Sequence, residues 1–101
     1  MLKVISLMRR ADGMSKADFI AWARDEHVAF ARELPGLRRY VVNVTDPAAD
    51  APYDCANEMY FDDDDARAAA FASEAGKAAA ADAGAHTSER VHLLTTQHEP
   101  L

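Results

Sequence analysis

The histidine at position 27 is the residue of this chain best suited to chemistry, because it lies inside the amphipathic segment FIAWARDEHVAFARELPGLRRY, residues 19–40. An imidazole exchanges a proton near neutral pH, and an adjacent carboxylate, here that of Glu26, can orient the ring. The pattern predicts His27 as a general base or acid whose ring Glu26 orients or whose pKa Glu26 raises. The alternative is structural: the ring packs at the rim of a core and bonds a backbone carbonyl, while Glu26 extends to water.

Tyr40 and Glu58 are the next candidates, as groups that orient a substrate oxygen. Tyr40 opens an apolar strand, where its phenol either donates a hydrogen bond to a substrate or fills the core. Glu58 lies in the middle of a strand, which predicts a partly buried carboxylate with a raised pKa. The alternative for Glu58 is an acid on an edge strand that faces solvent. Trp22 is a predicted substrate contact, and Asn43 and Asn57 are predicted polar walls of a pocket.

No motif indicates a metal or a nucleotide cofactor. His86, His92 and His98 recur at a regular spacing, but that spacing along an extended strand spans roughly 20 Å, too far for one ion. The acidic run at residues 62–65 is typical of a helix cap. No glycine-rich phosphate loop or dinucleotide fingerprint occurs. We therefore expect neither a metal nor a cofactor.

The composition favours one domain that binds neither nucleic acid nor a membrane. The chain has 101 residues and a formal net charge of -6, which opposes nonspecific binding to nucleic acid. The apolar run at residues 4–8 is too short, and too soon followed by charges, for a signal peptide or a membrane span. A single cysteine fits a reducing compartment. We expect one domain over residues 1–101 in a cytoplasmic protein.

Apolar patterning and helix signals predict the elements that must position these residues. The predicted strands and helices are β 2–10, α 16–34, β 37–45, β 55–61, α 64–72, α 74 to about 83, and β 91–96. This order matches a ferredoxin-like α+β fold, a β-α-β-β-α-β sandwich with a four-stranded antiparallel sheet and the helices on one face. On a helix of about 3.6 residues per turn, His27 falls at the edge of the apolar arc, about 80° from Phe19, and Glu26 falls inside the arc.

Both faces of the predicted sheet carry apolar side chains, as the first strand illustrates. Val4 and Met8 point to one face, and Ile5 and Leu7 point to the other. Helices cover one face, and the sheet of a second copy under twofold symmetry is the simplest cover for the other. The pattern therefore predicts a homodimer.

The chain resembles the EthD-like family of the dimeric α/β-barrel superfamily, which is named for a protein linked to ethyl tert-butyl ether degradation. That family typically has Phe or Tyr, then Trp, then His in its first helix, followed by Leu-Pro-Gly and a strand bearing Tyr. The matching residues here are Phe19, Trp22, His27, Leu34-Pro35-Gly36 and Tyr40. The match spans nearly the whole chain, including VISLMRR, ANEMYFDD and SEAGKAAAADAGAH. A small residue and Pro often follow the family's histidine, whereas Val28-Ala29 stands here.

The resemblance implies a ferredoxin-like fold that forms a dimeric α/β barrel by sheet-to-sheet contact. It also implies a small-molecule cavity between helices and sheet, with His27 at its wall. Family members and near relatives include muconolactone methylisomerases, polyketide-tailoring cyclases, decarboxylases and cofactor-free oxygenases. A shared fold does not choose among these chemistries.

The leading hypothesis from the sequence is a homodimeric, cofactor-independent enzyme that transfers a proton on a small apolar oxygenated compound, as an isomerase, lyase or cyclase. His27 would move the proton, and Tyr40 and Glu58 would orient the substrate oxygen. One alternative is a non-catalytic binding or accessory protein that uses the same cavity. The other is a cofactor-free or haem-related monooxygenase; the lack of an asparagine-rich first strand and of a histidine at a clear axial position argues against haem.

Overall fold

A four-stranded antiparallel sheet with helices packed on one face makes up the computed structural model, which describes residues 1–101. The strands are β1 (Leu2–Arg10), β2 (Arg39–Val41), β3 (Cys55–Phe61) and β4 (Thr87–Thr95), in the spatial order β2-β3-β1-β4. The helices are α1 (Lys16–Ala21), α2 (Val28–Ala31), α3 (Asp64–Ala72) and α4 (Glu74–His86), and a π-helical turn (Trp22–Glu26) joins α1 to α2. This arrangement confirms the predicted ferredoxin-like α+β fold.

The core lies between the two central strands and the helices. Alternate residues of β3 are buried, which identifies the face that the helices cover: Cys55, Asn57, Met59 and Phe61. Val4 and Met8 of β1 are buried on the same face. The helices above them contribute buried alanines: Ala70, Ala79 and Ala83. Such small side chains leave part of the space between helix and sheet unfilled.

Side-chain caps begin the helices where the sequence predicts them. In each cap a side-chain oxygen accepts a hydrogen bond from a backbone N–H three residues later: Ser15 from Asp18 (3.1 Å), Asp63 from Ala66 (2.8 Å) and Ser73 from Gly76 (3.1 Å). Each cap satisfies a backbone donor that lacks a partner in the first helical turn. The acidic run at residues 62–65 thus contributes a helix cap, as predicted.

Strand β2 is much shorter than its predicted range of residues 37–45. Its regular pairing with β3 stops after Val41. Two residues later, the Asn43 N–H donates to the side-chain oxygen of Asn57 at 3.2 Å instead of to a strand carbonyl. A side chain has therefore replaced a bond of the backbone ladder, which apolar patterning does not reveal.

Helix α4 and strand β4 are both longer than predicted. The predicted helix ends near residue 83 and the predicted strand begins at 91, whereas α4 ends at His86 and β4 begins at Thr87. The residues missed at the start of the strand are polar and mostly exposed, because β4 lies at the edge of the sheet. They carry no apolar signal for that reason.

The sheet face opposite the helices has no cover within the chain. Ile5 and Leu7 of β1 lie partly exposed on it, and the register partner of Ile5 on β4, Leu93, is 44% exposed. The apolar second face that the sequence predicts is therefore present. No helix of the structure has both the length and the apolar character that crossing a bilayer requires.

Candidate functional site

The first helical segment contains an irregularity that decides where His27 points. The His27 N–H bonds to the Trp22 carbonyl, five residues back, at 2.9 Å. One extra residue in a turn rotates everything after it by roughly 100° relative to a regular helix. His27 is consequently buried, with 8% of its surface exposed, whereas Glu26 is exposed. The predicted uninterrupted helix over residues 16–34, and with it the inward position of Glu26, is wrong.

The carboxylate that contacts His27 belongs to Asp82 of α4. His27 Nδ1 lies 2.7 Å from Asp82 Oδ2, and the same oxygen accepts from Trp22 Nε1 at 3.1 Å. A carboxylate only accepts, so Nδ1 carries the proton of this bond and Nε2 is the free nitrogen of the neutral ring. Asp82 takes the orienting position that the sequence predicted for Glu26.

Packed aromatic rings hold this pair in place. The Trp22 ring lies 4.8 Å from the His27 ring and 4.7 Å from the His86 ring, centre to centre. His86 Nδ1 lies 2.7 Å from the Asp82 backbone oxygen, one helical turn earlier. Trp22 is only 1% exposed and belongs to the core, not to the cavity lining. The sequence predicted a substrate contact for Trp22, whereas in the structure Trp22 packs against the pair and does not line the cavity.

A cavity of about 500 Å³ opens between the helices and the sheet, and His27 forms part of its wall. Most of the lining is apolar, including alanines of α4. On the floor, Asn57, Ser6 and His92 are register neighbours on three adjacent strands, so they form one polar row. The cavity therefore combines an apolar body with a few polar groups at fixed positions, as small-molecule sites do.

Tyr40 lines the same cavity and presents a phenol to it. Asn57 Nδ2 donates to the Tyr40 hydroxyl oxygen at 3.4 Å. Burial, and secondarily the nearby Cys55, raises the pKa of Tyr40 to about 12, although the bond from Asn57 opposes the shift. The phenol stays protonated at neutral pH, so it can donate to an oxygen inside the cavity.

Glu58 lies on the opposite face of the sheet and outside the cavity. Its carboxylate accepts from Asn43 Nδ2 (2.7 Å) and from the Tyr60 hydroxyl (2.9 Å), and it pairs with Lys3 Nζ at 2.6 Å. The hydrogen bond from Lys3, followed by that from Asn43, lowers the pKa of Glu58 to about 2. The prediction of a raised pKa is wrong, because the cation on the neighbouring strand outweighs burial. Asn43 likewise lies outside the cavity lining.

The edge strand β4 contributes two exposed side chains to the cavity lining, Arg90 and His92, and we therefore take β4 as the open side of the cavity. The pKa of His92 is lowered, first because the ring is partly withdrawn from water and then because Arg90 and Arg67 oppose a second positive charge. Its ring lies 5.6 Å from that of Phe71. His92 is therefore neutral at neutral pH, and the lining contains no Asp or Glu.

The sequence pattern missed two members of this site. Asp82 is the only acid of the alanine-rich helix α4 besides Glu74 at its first position, and it lies 55 residues from His27 in the chain. Its isolation among alanines, with His86 one turn later, was the available signal. Arg90 stands at the start of a strand whose beginning the apolar pattern did not show.

A family model for the EthD domain matches residues 11–89 of the chain. No curated protein matches the sequence. Among solved structures, an ethyl tert-butyl ether D (EthD) family protein from Bacillus halodurans C-125 has 26% sequence identity and a TM-score of 0.76, with 97% of this chain and 99% of that chain covered.

Two further solved structures have the same fold at lower identity. One is described as a dimeric ferredoxin-like protein of unknown function from Thermobifida fusca YX, with 21% identity, a TM-score of 0.76, and coverage of 95% of this chain and 90% of that chain. The other is SnoaB, a cofactor-independent oxygenase from Streptomyces nogalater, with 20% identity, a TM-score of 0.72, and coverage of 99% and 95%. At these identities the likeness concerns the fold.

Proposed function

The chain belongs to the EthD domain family, and from this premise we propose that it is a cofactor-independent enzyme that transfers a proton on a small, largely apolar oxygenated compound. The observation that carries the proposal is the Asp82–His27 pair at the wall of the cavity, 2.7 Å between Oδ2 and Nδ1. An oriented imidazole with one free nitrogen is the arrangement that general base catalysis needs.

In the proposed reaction, His27 Nε2 removes a proton from a carbon next to a substrate carbonyl. The imidazolium that forms is stabilised by the Asp82 carboxylate at Nδ1. Negative charge moves to the carbonyl oxygen, where the protonated Tyr40 hydroxyl donates a hydrogen bond. The same imidazolium then returns the proton to another atom of the substrate, which completes an isomerisation, cyclisation or elimination.

The cavity suits such a substrate in size and in polarity. Its volume of about 500 Å³ lies within the range of about 300–1,000 Å³ that is usual for small-molecule sites. The largely apolar lining favours a ring or a short hydrocarbon body, and the polar row on its floor offers positions for oxygen atoms. His27 is only 8% exposed, which limits competition from bulk water for the proton.

Deuterium exchange tests the proposal without knowledge of the product. Lactones, phenols and 1,3-dicarbonyl compounds are incubated with protein in heavy water, and loss of carbon-bound hydrogen is followed by NMR. We expect accelerated exchange of at least one compound by the wild-type protein and no acceleration by His27→Ala. His98→Ala is the matched control, because His98 is exposed and outside the cavity. Equal exchange by wild type and His27→Ala would refute the role of His27.

A non-catalytic binding protein is the second candidate, and the mostly apolar lining favours it because such a surface holds a metabolite without reacting. In the same experiment, a binding protein would shift the NMR signals of a compound but leave its exchange rate unchanged. Oxygen consumption, measured in parallel, would identify a cofactor-free oxygenase instead.

We also propose that the protein is a homodimer joined through the uncovered sheet face. The support is the exposed apolar row that contains Ile5, Leu7 and Leu93, together with the description of a structural neighbour as dimeric. Burial of this face against its own copy would remove the apolar row from water. The two cavities lie on the opposite faces of the sheets, so each would remain open in the dimer.

A further inference from the structure

Arg90 forms no ion pair, although it lines the cavity. The only hydrogen bond of its side chain runs from Nη1 to the Ala80 backbone oxygen, at 3.2 Å. Five other arginines lie within 3.5 Å of a carboxylate: Arg9, Arg10, Arg24, Arg38 and Arg67. Arg32 and Arg39, which are exposed as Arg90 is, also lack an acid, but neither of them lines the cavity. An unneutralised cation at the cavity is notable in a chain of net charge -6.

Nothing else in the lining balances the charge of Arg90. The lining has no Asp or Glu, and the acid that contacts His27, Asp82, already accepts from Trp22 Nε1 and His27 Nδ1. His92, two residues along β4 on the same face, is held neutral in part by Arg90 itself. The open side of the cavity therefore carries one uncompensated positive charge beside a neutral imidazole.

The positions of these groups match a ligand with an anionic end and an apolar body. In the sheet register, His92 is paired with Ser6, and Ser6 is paired with Asn57. Neighbouring strands lie about 4.8 Å apart, so the row from His92 to Asn57 spans about 10 Å. A six-membered ring with one short substituent fills that length. The side chains of Ser6 and His92 make no hydrogen bond to the protein, which leaves their donors available to a ligand.

We infer that the ligand of this cavity is a small carboxylic acid in its ionised form, with its carboxylate held by Arg90 and His92 at the open side and its apolar body directed toward Tyr40 and His27. A guanidinium binds a carboxylate through two parallel hydrogen bonds, and a single cation balances a monoanion better than a phosphate dianion. The inference rests on the proposed function, since it names the substrate class for the same cavity.

Matched acids and amides test this inference directly. Benzoate and phenylacetate are titrated into the protein beside benzamide and phenylacetamide, which have the same shape without the charge, and binding is followed by NMR shifts and calorimetry. We expect each acid to bind at least tenfold more tightly than its amide, with an affinity that falls as salt is added. Arg90→Gln should weaken the acids at least tenfold and leave the amides unchanged.

Arg32→Gln is the matched control, because Arg32 is also free of ion pairs but lies outside the cavity. It should bind every probe as the wild type does. Equal affinity for acid and amide, failure of all four probes to shift cavity resonances, or an Arg90→Gln effect shared by both kinds of probe would overturn the inference.

The two proposals fail separately. If acids bind through Arg90 but no carboxylate undergoes exchange dependent on His27, the ligand class stands and catalysis fails. If neutral lactones or phenols exchange through His27 while acids gain nothing from Arg90, catalysis stands and the ligand class fails.

Discussion

Substitution of Asp82 by Asn tests the histidine–carboxylate pair most directly, because one oxygen serves two donors. Trp22 Nε1 (3.1 Å) and His27 Nδ1 (2.7 Å) both lie at Asp82 Oδ2. An indole N–H can only donate, so the amide oxygen of Asn must take the Oδ2 position. The proton of the neutral His27 ring therefore stays on Nδ1, and the substitution removes only the negative charge.

The loss of that charge sets the expected magnitude. At an effective dielectric constant of about 20, unit charges about 4 Å apart interact by about 4 kcal/mol, and the amide dipole keeps part of this. We expect the imidazolium in the transition state to lose about 2–3 kcal/mol, which is a decrease of about 30- to 150-fold in exchange rate. Folding should lose only about 1 kcal/mol, because both hydrogen bonds persist in neutral form.

Two measurements decide whether this reasoning holds. Heteronuclear NMR of the ring nitrogens should show the Nδ1–H tautomer in the neutral ring of wild type and of Asp82→Asn. Asp82→Ala is the contrast, since it leaves the donors of Trp22 and His27, residues that are 1% and 8% exposed, without a partner. It should cost about 2–5 kcal/mol of unfolding free energy. An Nε2–H tautomer in wild type, or an Asp82→Ala variant as stable as Asp82→Asn, would refute the account.

Three further predictions concern the two faces of the sheet and the contact between helices α3 and α4. Leu93→Glu places a charge on the uncovered sheet face, where Leu93 is 44% exposed, so light scattering should show a dimer for wild type and a monomer for the variant. A wild-type monomer at micromolar concentration would contradict the proposed dimer. Glu58→Gln should lower the unfolding free energy by about 1 kcal/mol near neutral pH, a figure reduced for solvent screening. The pKa of Glu58 is lowered in the folded state to about 2, so this stabilisation is complete above the unfolded pKa of about 4.3 and is lost as pH falls through the folded pKa. Urea unfolding of wild type and Glu58→Gln should therefore show a difference in unfolding free energy that shrinks from neutral to acidic pH. A difference that stays constant with pH would count against the Lys3 contact. Gly76→Ala should lower the free energy of unfolding by about 1–3 kcal/mol, because a Cβ there would lie 2.3 Å from the Ala70 backbone oxygen. Gly84→Ala is the control, since its Cβ would meet nothing closer than 3.9 Å. Equal melting temperatures for the two variants would contradict this packing between the helices.

The order and the faces of the elements were predictable because they depend on neighbouring residues. The alternation of buried residues in β3, from Cys55 to Phe61, follows from the geometry of a strand. The cap at Ser15 follows from the chemistry of a hydroxyl beside free N–H groups. Strand ends were less predictable: the start of β4 is polar since an edge strand faces water on that side.

The candidate site was predictable only in part. The sequence singled out His27 and Tyr40, and both line one cavity. Glu58 was misjudged because a strand pattern tells which residues share a face, but not that Lys3 on the next strand lies 2.6 Å from its carboxylate. Glu26 was misjudged because a regular helix was assumed through a π-helical turn.

The sequence by itself determined the fold, the family resemblance and the choice of His27 as the candidate residue, because each of these depends on local spacing and residue type. The tertiary structure alone decided which carboxylate orients that histidine and which charge faces the cavity. Asp82 is 55 residues away from His27, and Arg90 reaches the cavity only because β4 pairs with β1. Contacts between distant segments depend on how the helices pack on the sheet, and no local pattern specifies that packing.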